Sequence, residues 1–224
     1  NKVLQVAGEE ITADKIFITV GARPQIPAIA GLAGTPYMTS TEALRNITLP
    51  KKLIVLGGGY IATELGFAYA AFGTEVHFLV RSTLLRHEDK QVAAEFEKVF
   101  SKYHQVHLHT ILKRVKYSDD QFTVSYAQDG VDKEISAESL LVATGITCNT
   151  DILNLQSTDI ALDQNGFVKV DDRLRTTVDG VYAFGDCIGR YLYRHTANFE
   201  GEYLFEKVFS NPSFDPIKYP PVPH

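Results

Sequence analysis

The sequence predicts an α/β fold in which a doubly wound, parallel-stranded unit interrupts a second, strand-rich domain. Three observations predict it. The run Lys52-Leu53-Ile54-Val55-Leu56 leads into Gly57-Gly58-Gly59. A segment from Tyr60 to Phe72 follows, with Ile61, Leu65, Ala68 and Phe72 at helical spacing. Two further apolar runs, Lys15 to Gly21 and Leu140 to Gly145, both end on a glycine and read as buried parallel strands.

Taken in order, Gly73 closes the helix that Tyr60 opens, and Glu75 to Val80 is the next strand. Lys90 to Tyr103 is an amphipathic helix with Val92, Phe96, Val99 and Phe100 on one side. Residues 105–143 read as strands in series, with Asp119-Asp120 and Asp129-Gly130 as the turns between Val115, Phe122 to Val124 and Ile135. Asn165-Gly166 marks a hairpin before a strand from Phe167 to Val170. Val181 to Phe184 is a strand ending at Gly185-Asp186, and His195 to Phe209 is a helix. The proline-rich tail from Asp215 is non-helical and reads as a linker. The expected segments are a flank at 1–47, the inserted unit at 48–147, a returning flank at 148–217, and the start of a further domain at 218–224.

Composition narrows the function. With 224 residues, 45% hydrophobic and 22% charged, the chain is ordinary globular material. A net charge of −5 argues against a nucleic-acid partner. No run approaches the ~18 apolar residues of a membrane span, and no secretory signal opens the chain. The two cysteines cannot frame a disulfide scaffold, and a cytoplasmic setting is expected. The chain opens on Asn1 and its single methionine is Met38, so residues upstream of Asn1 are expected. His104, His107 and His109 alternate along a predicted strand, placing His107 and His109 on one face. No cysteine or acid completes a ligand set, so no metal is expected.

Gly57-Gly58-Gly59-Tyr60-Ile61-Ala62 fits G-x-G-x-x-[GA], with a strand before it and a helix after it. Gly57 permits a tight turn, Gly59 lets a pyrophosphate approach the backbone, and Ala62 keeps the helix close to the sheet. The unpaired N–H groups of the first helical turn then face the anion. A dinucleotide is the implied ligand. Its identity is read at the end of the second strand, Phe78 to Arg86. An NAD site places an acid there, and none stands at 79–82. Arg81 and Arg86 flank the loop instead, and a guanidinium fork suits a 2′-phosphate, so NADP is predicted over NAD. The competing reading is that both arginines are solvated or pair with Glu88 and Asp89.

Five stretches, in order, resemble the class I pyridine nucleotide–disulfide oxidoreductases, the flavoproteins that include glutathione reductase, dihydrolipoamide dehydrogenase, mercuric reductase and mycothione reductase. They are Thr19 to Pro24, Gly57 to Glu64, Arg81 to Asp89, Val142 to Gly145, and Val181 to Asp186. The loop residues Arg81, Leu84 to His87, and the helix start at Tyr191 to Asn198 are similar to the mycothione reductase branch. Gly59 to Ala62 is similar to glutathione reductase, and the subfamily stays open. The two arginines stand closer together than in the glutathione reductase pattern.

The resemblance implies a Rossmann-like NAD(P)-binding domain inserted into a partial FAD-binding domain. It implies that Tyr60 covers the flavin until nicotinamide enters, that Glu64 meets the nicotinamide carboxamide, and that Gly145 lines the other wall of the NADP site, with Gly57, Gly59 and Ile61 in the fingerprint itself. It implies FAD contacts by Gly21 and Asp186, the latter to the ribitol, and by Arg194 and His195 at a helix start facing the N1–C2=O edge.

Three family parts are missing. They are the first Gly-rich unit for the FAD pyrophosphate, the paired redox cysteines, and the C-terminal interface domain with its His–Glu pair. Cys148 and Cys187 are read as small buried or half-buried residues, so no catalytic residue is assigned. The parent is expected to be a homodimeric enzyme passing hydride from NADPH to FAD and on to a disulfide or related small-molecule acceptor. This stretch supplies the NADPH site and part of the FAD site, without turnover alone. The alternatives are a transhydrogenase or metal-ion reductase of the same family, or a non-catalytic dinucleotide-binding module.

Overall fold

The computed structural model describes residues 2–210 and 215–221; Asn1, 211–214 and 222–224, the last within the predicted 218–224 segment, lie outside the described residues. The chain divides into two compact units, Asn1–Arg23 with Ile146–His224, and Pro24–Gly145. The first unit opens with β1 (Val3–Val6), β2 (Glu9–Thr12), β3 (Ile16–Ile18) and β4 (Ala22–Pro24). The second carries α1 (Ser40–Arg45), β5 (Lys52–Leu56), α2 (Tyr60–Ala71), β6 (Glu75–Leu79), α3 (Lys90–Tyr103), β7 (Gln105–His107), β8 (Thr110–Ser118), β9 (Gln121–Gln128), β10 (Val131–Ala137) and β11 (Ser139–Val142). The chain returns to the first unit with β12 (Ile146–Cys148), β13 (Val181–Ala183) and α4 (Arg194–Ser210).

In the second unit, four parallel strands lie in the order β11-β5-β6-β7. Leu53 to Leu56 are all buried, as strands covered on both faces require. One face, through Leu53, Val55 and Phe78, packs on Ala62 and Tyr69 of α2 and Phe100 of α3. The other face, through Ile54, Leu56 and Leu79, packs on Val115, Phe122 and Val124 of the antiparallel meander β8–β9–β10. Both meander turns are two-residue loops with positive φ at each central residue, +54° and +56° at Asp119-Asp120, +52° and +78° at Asp129-Gly130. That is the turn whose twist matches a hairpin.

The edges of this unit differ from the expected 48–147. Residues 24–47 belong to it because Met38 runs beside β11, donating to Leu140 O and accepting from Val142 N at 2.8 Å each, and because Leu32 is buried in the same core as the meander. These short segments carry no periodic signal. On α3, Phe96 and Phe100 turn inward while Val92 and Val99 stay exposed, so the apolar side is narrower than predicted.

In the first unit β3 and β13 pair in parallel, Ile16 with Val181 through Ile18 with Ala183. Their core includes Ile18, Cys148, Leu174, Cys187, Leu204 and Val208. Asn165-Gly166 does form a turn, with Asp163 N donating to Phe167 O, but the strand predicted from Phe167 is reduced to a single Leu162–Val168 bridge. The segment after Asp215 is extended rather than helical, and it is tied down. Ile217 is buried, its N–H donates to Asp172 O, and Tyr219 is half-buried. No described helix is long and apolar enough to cross a membrane.

Candidate cofactor sites

The second unit gathers its predicted residues at the carboxyl ends of β11, β5 and β6. Gly57 has φ +128°, and a Cβ there would lie 2.2 Å from Ala143 O at the end of β11. Only glycine lets the two strand ends approach so closely. Gly58, to which the sequence assigned no task, is equally constrained: a Cβ would meet Val80 Cγ1 at 2.7 Å and Leu84 Cδ2 at 3.1 Å. Gly59 is the opposite case. It is the N-cap of α2 in extended backbone, it offers no side-chain cap, and a Cβ there would project into open space. The first turn of α2 holds no acid, so its N–H groups and dipole face that opening uncompensated. Ala62 is fully buried against the sheet. Gly66, one turn on, was missed: a Cβ there would strike the Phe78 ring at 2.3 Å, and its signal was a glycine one turn after Ala62 on the same helix face.

The loop after β6 is fastened onto this turn. Gly57 N donates to Leu79 O at 3.1 Å and Leu85 N to Gly58 O at 2.8 Å, while Leu84 is buried and its N–H donates to Glu97 Oε2. The same buried leucines leave Arg81 and Arg86 exposed beside the glycine turn. Asp89 is committed to capping α3 through Gln91 N and Val92 N, and Arg86 Nε donates to His87 Nε2 at 2.9 Å. Arg81 has no ion pair among the described residues. Tyr60 is half-buried at the start of α2, and Ile61 and Glu64 are exposed on it. Gly145, at φ +131°, is exposed beyond Ala143 and its carbonyl accepts from Gln25 N.

In the first unit, Gly21 (φ +65°) and Gly185 (φ +75°) follow the paired strands β3 and β13 and lie at one edge. Gly185 opens a 3-10 turn, Gly185–Ile188, that carries the half-buried Asp186, whose carboxyl is raised above the usual range by burial. The turn sits against the first turn of α4: a Cβ on Gly185 would approach Ala197 Cβ to 3.3 Å. Arg194 and His195 are exposed there. Thr196, beside them, was not predicted; it is 3% exposed and its Oγ1 finds no hydrogen-bond partner among the described residues. Glu200 was also missed. It is fully buried and accepts from Gly185 N at 2.7 Å. An acid in the stripe Thr196, Glu200, Leu204, Val208 was the available signal.

The histidines do not share a face. His104 caps α3, His109 lies outside the strand at φ +55°, and His107 instead meets His77, Nε2 to Nδ1 at 3.1 Å, with Glu75 at 2.6 Å from His77. Burial, with His77 and two lysines nearby, lowers the His107 value. Among the described residues no group of three or more His, Cys, Asp or Glu is arranged to hold a metal ion. Both thiols are buried, and burial pushes Cys187 up to about 11.

The family model for pyridine nucleotide-disulphide oxidoreductases matches residues 1–201. The chain belongs to that family. It is 39% identical over 195 residues to mercuric reductase of Shigella flexneri, covering 84% of this chain and 34% of that protein. It is 35% identical to dihydrolipoyl dehydrogenase of Bacillus subtilis, covering 92% and 44%, and 34% identical to mycothione reductase of Mycobacterium tuberculosis, covering 88% and 42%. Among solved structures it superimposes on the HOCl-induced flavoprotein disulfide reductase RclA of Escherichia coli with a TM-score of 0.82 and 30% identity, over 94% of this chain and 48% of that one. The chain thus spans between a third and a half of the length of these relatives.

Proposed function

We propose that this chain supplies the NADPH site and one wall of the FAD site of a flavoprotein oxidoreductase whose acceptor is a disulfide or a related small molecule. The observation that carries the reading is the glycine turn at the uncapped tip of α2 with the Arg81–Arg86 loop hydrogen-bonded onto it. Free N–H groups at the helix tip take the diphosphate, and the two exposed guanidinium groups take the 2′-phosphate. Glu64 is available to accept the carboxamide N–H, and the family resemblance gives Tyr60, half-buried at the first turn, the task of covering the flavin until nicotinamide enters. Gly57, Ile61 and Gly145 shape the walls.

The flavin wall fits on a separate observation. A buried hydroxyl without a partner, Thr196 Oγ1, sits in the first turn of α4 next to Arg194 and His195, and Asp186 leaves the adjoining turn. Gly21 completes the edge. When bound, FAD supplies the two-electron carrier between nicotinamide and acceptor. Near it, the residues of α4 would place the positive end of the helix dipole, and Asp186 would accept from the ribitol hydroxyls.

A second reading, reduction of a metal ion, is supported by the identity to mercuric reductase. We further propose that the parent is a homodimer, as the family resemblance implies, and cytoplasmic, as two cysteines without a disulfide framework suggest. The coenzyme reading is tested by titrating NADPH and NADH against the chain and against Arg81→Ala with Arg86→Ala. Each lost contact to the phosphate is worth ~1.5–3 kcal/mol, so the NADPH preference should vanish in the double variant. Equal affinities in the unaltered chain would end the NADP assignment.

A further inference from the structure

Glu200 is a buried acid that neither binding site uses directly. It is 0% exposed on the inner stripe of α4, between Thr196 and Leu204, where an apolar residue would pack without the cost of a desolvated carboxylate. Both of its oxygens are engaged. Oε2 accepts from Gly185 N at 2.7 Å and Oε1 accepts from Tyr219 O–H at 2.6 Å. Tyr219 is itself held, by Arg190 Nη1 at 3.4 Å, by the Arg190 guanidinium over its ring, and by the rings of Tyr191 and Phe199. Arg190 in turn lies 4.0 Å from Asp172.

The bond to Gly185 falls at a decisive place. Gly185 is the first residue of the 3-10 turn that carries Asp186, and its φ of +75° is open to glycine without strain. Fixing its N–H fixes the peptide plane at the end of β13, and so the direction in which Asp186 leaves the strand. A short charge-assisted acceptor does this more firmly than a neutral one. Tyr219 O–H on the other oxygen stops the carboxylate from turning. We propose that Glu200 is a positioning residue for the flavin-facing turn, and that Tyr219 couples the segment after Asp215 to that turn through it. The flavin role rests on the function proposed above.

The test uses the 224-residue chain labelled with [15N]glycine, in its original form and as Glu200→Ala, Glu200→Gln, Glu200→Met and Tyr219→Phe. Three quantities are read: Gly185 amide exchange by NMR, FAD affinity by flavin fluorescence, and melting temperature. In Glu200→Ala, exchange should quicken and FAD binding weaken, each by about tenfold, from the loss of one charge-assisted bond. Gln retains an oxygen for Gly185 and should restore both to within about threefold, whereas Glu200→Met, which fills a similar volume with no oxygen to accept from Gly185, should behave like Ala. Tyr219→Phe should quicken the exchange by less than Ala does. If Glu200→Ala does not fold, the Gln and Phe variants decide. A Gly185 amide equally protected in every variant overturns the proposal. If the unaltered chain binds no FAD, as one wall of the site alone allows, the Gly185 amide exchange decides whether Glu200 holds the turn.

Discussion

Substituting alanine at Gly57 and at Gly59 should separate folding from binding, although the two glycines stand two residues apart. At Gly57 the new Cβ meets Ala143 O at 2.2 Å and the backbone is at φ +128°. Strain and overpacking together cost ~2–6 kcal/mol, which at about 2–4 °C per kcal/mol for a chain of this size lowers Tm by several degrees at least. At Gly59 there is no atom within 4 Å of the new Cβ and φ is −86°. A poorer N-cap and a stiffer unfolded chain oppose each other there, so stability should change by no more than ~0.5 kcal/mol. On the proposed coenzyme site, however, the methyl group would occupy the space through which a diphosphate reaches the helix tip. Losing one backbone bond to that anion costs ~1.5–3 kcal/mol, about 10- to 150-fold in Kd. Differential scanning fluorimetry and NADPH fluorescence titration on the two variants check this. A Gly59→Ala chain that binds NADPH like the unaltered protein, or that melts as early as Gly57→Ala, would refute the assignment of the helix tip as the phosphate site.

Two further outcomes are expected. Glu200 is raised above the ordinary glutamate range, chiefly by burial and to a lesser degree by Asp186, against the opposing pull of Tyr219, Gly185 N–H and Arg190. The folded state therefore holds that proton more tightly, so its contribution to stability is complete below about pH 4.3 and is lost as pH rises through the raised value. The Tm difference between the unaltered chain and Glu200→Gln should shift toward the Gln variant over that rise; parallel curves would remove the buried-carboxylate account. Cys148 and Cys187 are both buried, and Cys187 is pushed up to about 11, so neither should react quickly with a disulfide reagent at pH 8 until guanidinium exposes the two thiols. Fast stoichiometric labelling of the native chain would instead mark them as candidates for redox work.

Local chemistry made much of this fold readable. The Asp119-Asp120 and Asp129-Gly130 pairs name the positive-φ turns they form, and helix α3 spans Lys90 to Tyr103, where its apolar spacing places it. The glycine turn, β5 and α2 follow from a pattern that combines a strand apolar from Leu53 to Leu56 with residues that tolerate close approach. What these segments share is that the determining forces act within a few residues of one another. The Phe167 to Val170 strand failed although its turn is local and formed, because among the described residues the pairing across it stops at the Leu162–Val168 bridge.

The parts that could not be read depend on contacts distant in sequence. Residues 24–47 join the second unit because Met38 lies beside β11, about a hundred residues on, a register that no periodicity within 24–47 announces. Gly58 looks like any middle glycine of its motif until Val80 and Leu84 return over it, and Gly66 looks like a weakness in a helix until the Phe78 ring fills the space its missing Cβ leaves. Glu200 is the sharpest case. In a sequence it is a helix glutamate and would be placed in solvent. Only the fold brings Gly185 N–H and Tyr219 O–H to its two oxygens and removes water from it. An acid interrupting an apolar stripe at four-residue spacing is therefore the trace that such long-range polar networks leave in a sequence, and it gives a reason to look for an unsatisfied backbone amide opposite it.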